Sequence, residues 1–319
     1  MDALISLLEG PRARGAFLLR AVLEAPWGVR VRDEAAVTVL CVVRGGAWIL
    51  PEGGGGGEPV EVGPGRVAVV RGPRAYVVAD DPATAPQVDV LPGGCSVAAD
   101  GTDLCEALDL GVRAWGTGGE GGTELLIGTY QVADAVGGRL LRALPDVLVL
   151  EEGELGGGAL VGLLAGEISK EQPGQEVVLD RLLDLLLISA LRAWFARPET
   201  EAPAWYRAQG DPVVGPVLRL IHEHPAHPWT VSALAAKAGV SRAALARRFA
   251  GLVGEPPMTY LTGWRLDLAA GLLRGEAELT LEAVARRVGY GSAFALSTAF
   301  KRERGVSPSE HRAGPATPS

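Results

Sequence analysis

A segment of the chain is written twice. TVSALAAKAGV (230–240) and TLEAVARRVGY (280–290) align without a gap, with Ala235 over Ala285 and Gly239 over Gly289. After one extra residue, Gly291, the match resumes: Ser241 meets Ser292, Leu245 meets Leu296, Phe249 meets Phe300, Gly254 meets Gly305 and Pro257 meets Pro308. Two copies are too few for a solenoid. Each copy instead reads as helix, Gly-containing turn, helix. Thr230 and Ser241 are placed to cap their helices, and Ala235 is small enough to let two helices approach. Gly239 accepts the positive φ that the turn needs. A chain built this way is expected to meet DNA twice.

In the second helix of the first copy, Leu245 and Phe249 face inward. Ser241, Arg242, Ala243, Ala244, Arg247 and Arg248 lie at its start or on its outward side. The N-terminal part of such a helix enters the major groove, where Arg forms a bidentate pair with guanine. Arg247 shares a face with Ala243 and Ala244 and is the best candidate base contact. Arg248 turns away, toward phosphate. The second copy offers neutral side chains, Ser292, Ala293, Phe294, Ser297 and Thr298, followed by Lys301, Arg302 and Arg304 at the phosphate end. Residues 257–274 read as a connecting helix with apolar Met258, Leu261, Trp264, Leu268 and Leu272. At ~1.5 Å per residue it spans roughly 27 Å, a spacing suited to two successive major grooves.

From 211 to 319 there is neither Asn nor Gln. The bidentate amide contact to adenine is therefore excluded, and base reading falls to Arg, hydroxyls and apolar contact with thymine methyls. Charge is divided accordingly. Net charge is −8, but residues 211–319 hold 13 Lys+Arg against 9 Asp+Glu, while the first 210 hold 17 against 29. An acidic body with a basic tail fits a protein whose tail meets phosphate.

The 319 residues suffice for two cores. Residues 16–130 are β-rich, with apolar runs at 16–23, 37–43, 47–50, 66–70, 76–78 and 88–91, a pattern of sandwiches and barrels. Five glycines at 53–57 lack the Gly-Lys-Ser/Thr of a phosphate loop and read as a hairpin tip. Residues 92–122, rich in Gly, Asp and Ala, read as a long loop. Helices follow at 159–170 and 176–196, the second with apolar residues at 179, 182, 183, 186, 187, 190, 191 and 194. That stripe packs on the β-body or on a second copy. Residues 201–211 read as a linker and 314–319 as a disordered tail. Trp27, Trp48 and Tyr76 are candidate pocket aromatics as well as candidate core.

Cys41, Cys95 and Cys105 form no C-x-x-C pair, which argues against a zinc site or a disulfide framework. Cys41 sits in an apolar strand pattern; Cys95 and Cys105, in the expected loop, could oxidise to a disulfide. In HEHPAH, His222 and His224 face different sides of a helix that Pro225 ends, so a helix-end loop is expected rather than a metal site. No secretory signal or membrane span is visible, and a cytoplasmic protein is expected.

Residues 213–312 closely resemble the DNA-binding domain of AraC/XylS-type transcription regulators, in WTVSALAAKAGVSRAALARRFAGLVGEPPMTYLTGWRLDLA and VARRVGYGSAFALSTAFKRERGVSPSEHR. The earlier strings APWGVRV, LLISALRAWF and ALP resemble the cupin-type half of one subgroup. The resemblance implies an α+β two-domain chain. Its parts are a cupin-like β-barrel with C-terminal helices (1–200) that helps dimerise, then an all-α domain with two helix-turn-helix units (212–313). It also implies an unknown small-molecule effector and promoter DNA as partners, with RNA polymerase a further one, and leaves open whether the regulator is an activator or a repressor. Thr298 stands where relatives commonly carry Arg, so the second unit is expected to read an A·T-rich or shape-defined groove through Phe294. Metal cupins use clustered His. His222, His224, His227 and His311 all lie in the tail, so no metal and no cofactor is expected. Ile127 replaces a Cys found before the Gly128 position in some relatives, and no redox role transfers from it. Two other readings stand beside the regulator: a cupin enzyme with a DNA-binding tail, and a ligand-free dimerising protein.

Overall fold

The computed structural model describes residues 17–53, 57–130, 143–155, 159–197, 200, 202–275 and 278–313. The expected tail 314–319, the N-terminal residues 1–16 and part of the glycine-rich tip at 53–57 lie outside them. The chain divides into two compact units. One holds Arg12–Val132 and Leu144–Thr200; the other holds Glu201–Ser319.

The first unit is two facing six-stranded sheets among the described residues. One sheet contains β1 (Phe17–Leu23), β3 (Val37–Arg44), β6 (Arg66–Arg71), β10 (Ala114–Gly116), β11 (Thr123–Tyr130) and β12 (Val147–Glu151), in the order β10-β1-β11-β3-β6-β12. The other contains β2 (Gly28–Val31), β4 (Ala47–Pro51), β5 (Val60–Val62), β7 (Tyr76–Ala79), β8 (Val88–Val90) and β9 (Ser96–Ala98), in the order β5-β4-β7-β2-β8-β9. Alternate residues from both sheets, including Leu40, Val42 and Leu125 from the first and Ile49, Tyr76 and Val78 from the second, form one core. The cupin-like barrel is thus built as two layers, with no strand pairing that closes the cylinder among the described residues.

The segment at 92–122 is folded, contrary to the loop reading. β9 pairs with β8, and β10 runs parallel to β1 with Arg20 opposite Ala114. Three-residue strands set among glycines carry no periodicity of their own; their partners lie far away in sequence. After β12, α1 (Leu160–Ile168) and α2 (Gln175–Ala196) pack together on the first sheet. Of the expected stripe, Leu179, Leu183, Leu186, Leu187, Ala190 and Leu191 are buried within the unit. Gly128 makes room for α2: a Cβ there would stand 2.5 Å from Leu183 Cδ1.

The second unit is helical: α3 (Ala204–Arg207), α4 (Val214–Glu223), α5 (Val231–Lys237), α6 (Arg242–Val253), α7 (Pro257–Gly275), α8 (Leu281–Arg287), α9 (Ala293–Arg304) and α10 (Pro308–Ala313). Residues 202–211, expected as linker, belong to this unit. They form α3 and a 3-10 turn (Ala208–Gly210) that pack on α6 and α4. Proline spacing suggested a linker, but Asp211 anchors the end of the segment, accepting hydrogen bonds from the Val213 and Val214 amides at 2.9 Å. The connecting helix α7 buries two faces rather than one stripe. Tyr260 and Trp264 lie against His222, and Tyr260 also meets Phe249; Leu266, Ala269, Ala270 and Leu273 join the core of the second repeat. Met258, Leu268 and Leu272 stay half-buried because the helix serves two cores.

Candidate nucleic-acid interface and ligand cavity

The repeat has identical local chemistry in both copies. The hydroxyls of Thr230, Ser241, Thr280 and Ser292 accept from the backbone N–H three residues on, at 3.1–3.2 Å. Each satisfies a helix-end donor that the helix itself leaves open. After α5 and α8 the chain closes in the same way: Val240 N–H donates to Ala235 (3.0 Å) and Tyr290 N–H to Ala285 (2.8 Å). Gly239 (φ +69°) and Gly289 (φ +83°) sit in the left-handed conformation that this closure demands.

The copies differ in how their turns are packed. The Cβ position of Gly239 is open, whereas a Cβ on Gly289 would stand 2.7 Å from Ala226 Cα and 2.9 Å from Arg265 Nη2. Arg265, on α7, in turn donates to the Pro225 and His227 carbonyls at 2.7 and 2.8 Å. The second turn is therefore pressed against the loop that precedes the first repeat. His222 packs against α7, its Nε2 2.8 Å from Tyr260 Oη.

On α6, Arg242, Ala243 and Arg247 are exposed and Ala244 is half-exposed. Neither Arg242 nor Arg247 makes an ion pair among the described residues. Arg248 is differently placed: it holds Asp211 through a two-pronged ion pair (2.7 and 3.0 Å), so a phosphate would compete with that carboxylate. The guanidinium, together with the two backbone amides, holds the Asp211 carboxyl down to about 2.

On α9, Phe294 is 82% exposed, a large aromatic left in water on the outer side of the helix. Thr298 is exposed, Ser292, Ala293 and Ser297 are half-buried, and Lys301 and Arg302 are exposed at the far end. Arg302 pairs with Glu303 at 2.9 Å. Arg304 is not available to phosphate as the sequence suggested: it pairs with the buried Asp267 of α7 and lies over the Phe300 ring. Sequence reading also missed Glu282, whose carboxylate accepts from the Ala293 amide (3.1 Å) at the start of α9. The first repeat has Ser232 there.

The body contains a cavity of about 560 Å³ between its sheets. Leu19, Leu40 and Ile127 line one side, Val29, Val78 and Val90 the other. Tyr76 and Trp115 are its aromatics, and Asp33, Glu34, Gly93 and Gly94 also line it. Of the three aromatics named from sequence, only Tyr76 lines it. Trp27 is buried in the core, and Trp48 alternates with buried Ala47 and Ile49, so it points to the other face of its sheet. Trp115, a lone aromatic among glycines, was missed; its Nε1–H donates to Ser96 Oγ at 3.2 Å. Burial pushes the Asp33 carboxyl up from its ordinary range, although the Ala35 amide bonds it at 3.1 Å. Glu34 beside it holds a positive φ of 58°, a strained conformation for a residue with a Cβ.

A β-rich body with a largely apolar cavity, followed by paired helix-turn-helix units, defines a two-domain protein of the helix-turn-helix class. A family described as cupin matches residues 2–196, and one described as a helix-turn-helix domain matches residues 234–314. An AraC-like transcription regulator of Streptomyces antibioticus is 33% identical over 318 residues, 99% of each chain. One of Streptomyces lividans is 32% identical over 321 residues, 100% of each. Among solved structures, the DNA-binding domain of AdpA in complex with a target DNA is 36% identical, covering 33% of this chain and 92% of that one, with a TM-score of 0.31. The chain belongs to the AraC-like family of transcription regulators: a DNA-binding regulator with a cupin-like N-terminal domain.

Proposed function

We propose that the cupin-like unit (1–200) senses a small effector in its cavity and that the double helix-turn-helix unit (212–313) carries the response to promoter DNA. In this reading Arg247 and Arg242 take guanine in one groove, with Ser241, Ala243 and Ala244 close to the bases. In the next groove Phe294 meets thymine methyls, flanked by Ser292, Ala293, Ser297 and Thr298, while Lys301 and Arg302 hold phosphate. The exposure of Arg242, Arg247 and Phe294 supports it. A homodimer is supported by apolar Leu163, Val177 and Leu185, which α1 and α2 leave exposed. RNA polymerase is the further partner of an activator bound at a promoter. The full-length relatives are transcription regulators, which favours a regulator over an enzyme. Among the described residues no helix is long and apolar enough to cross a membrane.

The observation that carries effector sensing is the cavity itself: mostly apolar walls with Asp33 and Glu34 among the lining residues. Such a site suits a mostly apolar molecule bearing a cationic or hydrogen-bond-donating group. A panel of such compounds, screened by thermal shift on the full-length protein, tests it. A ligand at 100 times its Kd stabilises by about 2.7 kcal/mol. The shift is expected to vanish in Ile127→Trp, which fills the cavity, and to shrink in Asp33→Asn. If no compound shifts the transition, or the shift persists in Ile127→Trp, sensing in this cavity is wrong.

A further inference from the structure

Cys95 and Cys105 are brought together by a hairpin that is invisible in the sequence. β9 leads into a turn in which Gly101 has φ +86° and Asp100 accepts from the Thr102 amide. Val97 then bridges Asp103, and Leu104 N–H bonds Ser96 O at 2.8 Å. Extending that register places Cys95 directly opposite Cys105, with Asp103 two residues away on the same face. The two sulfurs are 3.9 Å apart, and the ligand atoms of Cys95, Asp103 and Cys105 lie within 4.8 Å of one another. The Ser96 amide donates to Cys105 Sγ at 3.4 Å. Cys105 is exposed and Cys95 half-exposed, so the group is open to solvent.

We propose that Cys95, Asp103 and Cys105 form a three-ligand site for a thiophilic d10 cation, with Zn2+ the ion its distances suit and water in the fourth position. Tetrahedral zinc with Zn–S bonds of about 2.3 Å sets its sulfurs about 3.8 Å apart, matching the 3.9 Å found here. A disulfide needs them at about 2.05 Å and takes no third ligand; Asp103, whose Oδ1 accepts from the Cys105 amide at 2.8 Å, keeps lone pairs for a cation. A dication held here would be met by two thiolates and a carboxylate, ligands of the kind that zinc takes. Binding releases one proton from each thiol and changes no oxidation state. Gly93, Gly94 and Ser96 line the effector cavity, so a cation held here stiffens one of its walls.

The test uses tag-free full-length protein, reduced and handled without oxygen. Zn2+ uptake is followed by competition with a chromophoric chelator, and Co2+ serves as the spectroscopic probe. One equivalent of Zn2+ is expected, with proton release on binding and a thiolate-to-Co2+ charge-transfer band. Cys95→Ser and Cys105→Ser should each abolish the band, Asp103→Asn should weaken uptake about tenfold or more, and Cys41→Ser should change nothing. X-ray absorption of the zinc form should show two sulfurs. Absence of stoichiometric uptake, or uptake that survives both cysteine variants, overturns the site. So does a protein that gives no charge-transfer band but forms a Cys95–Cys105 disulfide with stoichiometric peroxide, since the pair is then a redox switch.

Discussion

The arginines of the tail look alike in the sequence and have separate fates in the structure. Arg248, Arg265 and Arg304 are held by Asp211, by two carbonyls and by Asp267. They are parts of the scaffold, and a base or phosphate can recruit them only by breaking those bonds. Arg242 and Arg247 carry no such commitment among the described residues, and Arg247 is exposed on the outward face of α6. Replacing Arg247 by Ala is therefore expected to weaken operator binding by roughly 1–3 kcal/mol and to relax preference at one base pair. Site selection with the purified variant reads both; an unchanged motif at unchanged affinity removes Arg247 from the interface. Helical periodicity could show that Leu245 and Phe249 face inward, but not which outward cation is already engaged. That depends on a carboxylate 37 residues away in the case of Arg248.

Among elements, legibility followed the range of the forces that make them. The four repeat helices were readable because cap, small residue, glycine and inward apolar pair recur within each short copy. The strands at 37–44 and 66–71 were readable because long apolar runs bound by Gly and Pro leave few alternatives. β9, β10 and the hairpin that joins Cys95 to Cys105 were not, because their order comes from partners such as β1 and β8 rather than from local pattern. α3 was hidden in the same way. Its attachment also makes a prediction at this scale. Asp211 titrates near 2 in the folded unit, against roughly 3.9 in an unfolded chain. The stabilisation it contributes is thus fully present above about pH 4 and is lost as the pH falls toward 2. Asp211→Asn should lower the melting temperature of the tail at pH 6, and the gap to the unmodified protein should narrow by pH 3. A gap independent of pH would mean that the carboxylate's charge does not hold α3, α4 and α6 together.

In the whole molecule, an acidic body that contains a cavity is joined to a basic unit that presents two helices. The β-rich body and the DNA-binding tail were legible from apolar runs, charge, repeat and resemblance. The cavity was legible only through Tyr76, because an interior space is made by backbone curvature and by what alternating side chains leave unfilled. The unit that presents α6 and α9 has little slack: α7 is shared by both cores, Arg265 ties it to the loop at 225–227, and Gly289 rests against Ala226. The two reading heads are jaws of a caliper locked at one opening. Inserting a single base pair between the half-sites turns the far groove by about 34°, and the caliper cannot follow. Gel-shift titration of such an operator should show affinity falling to that of one half-site; undiminished binding would show that the jaws slide.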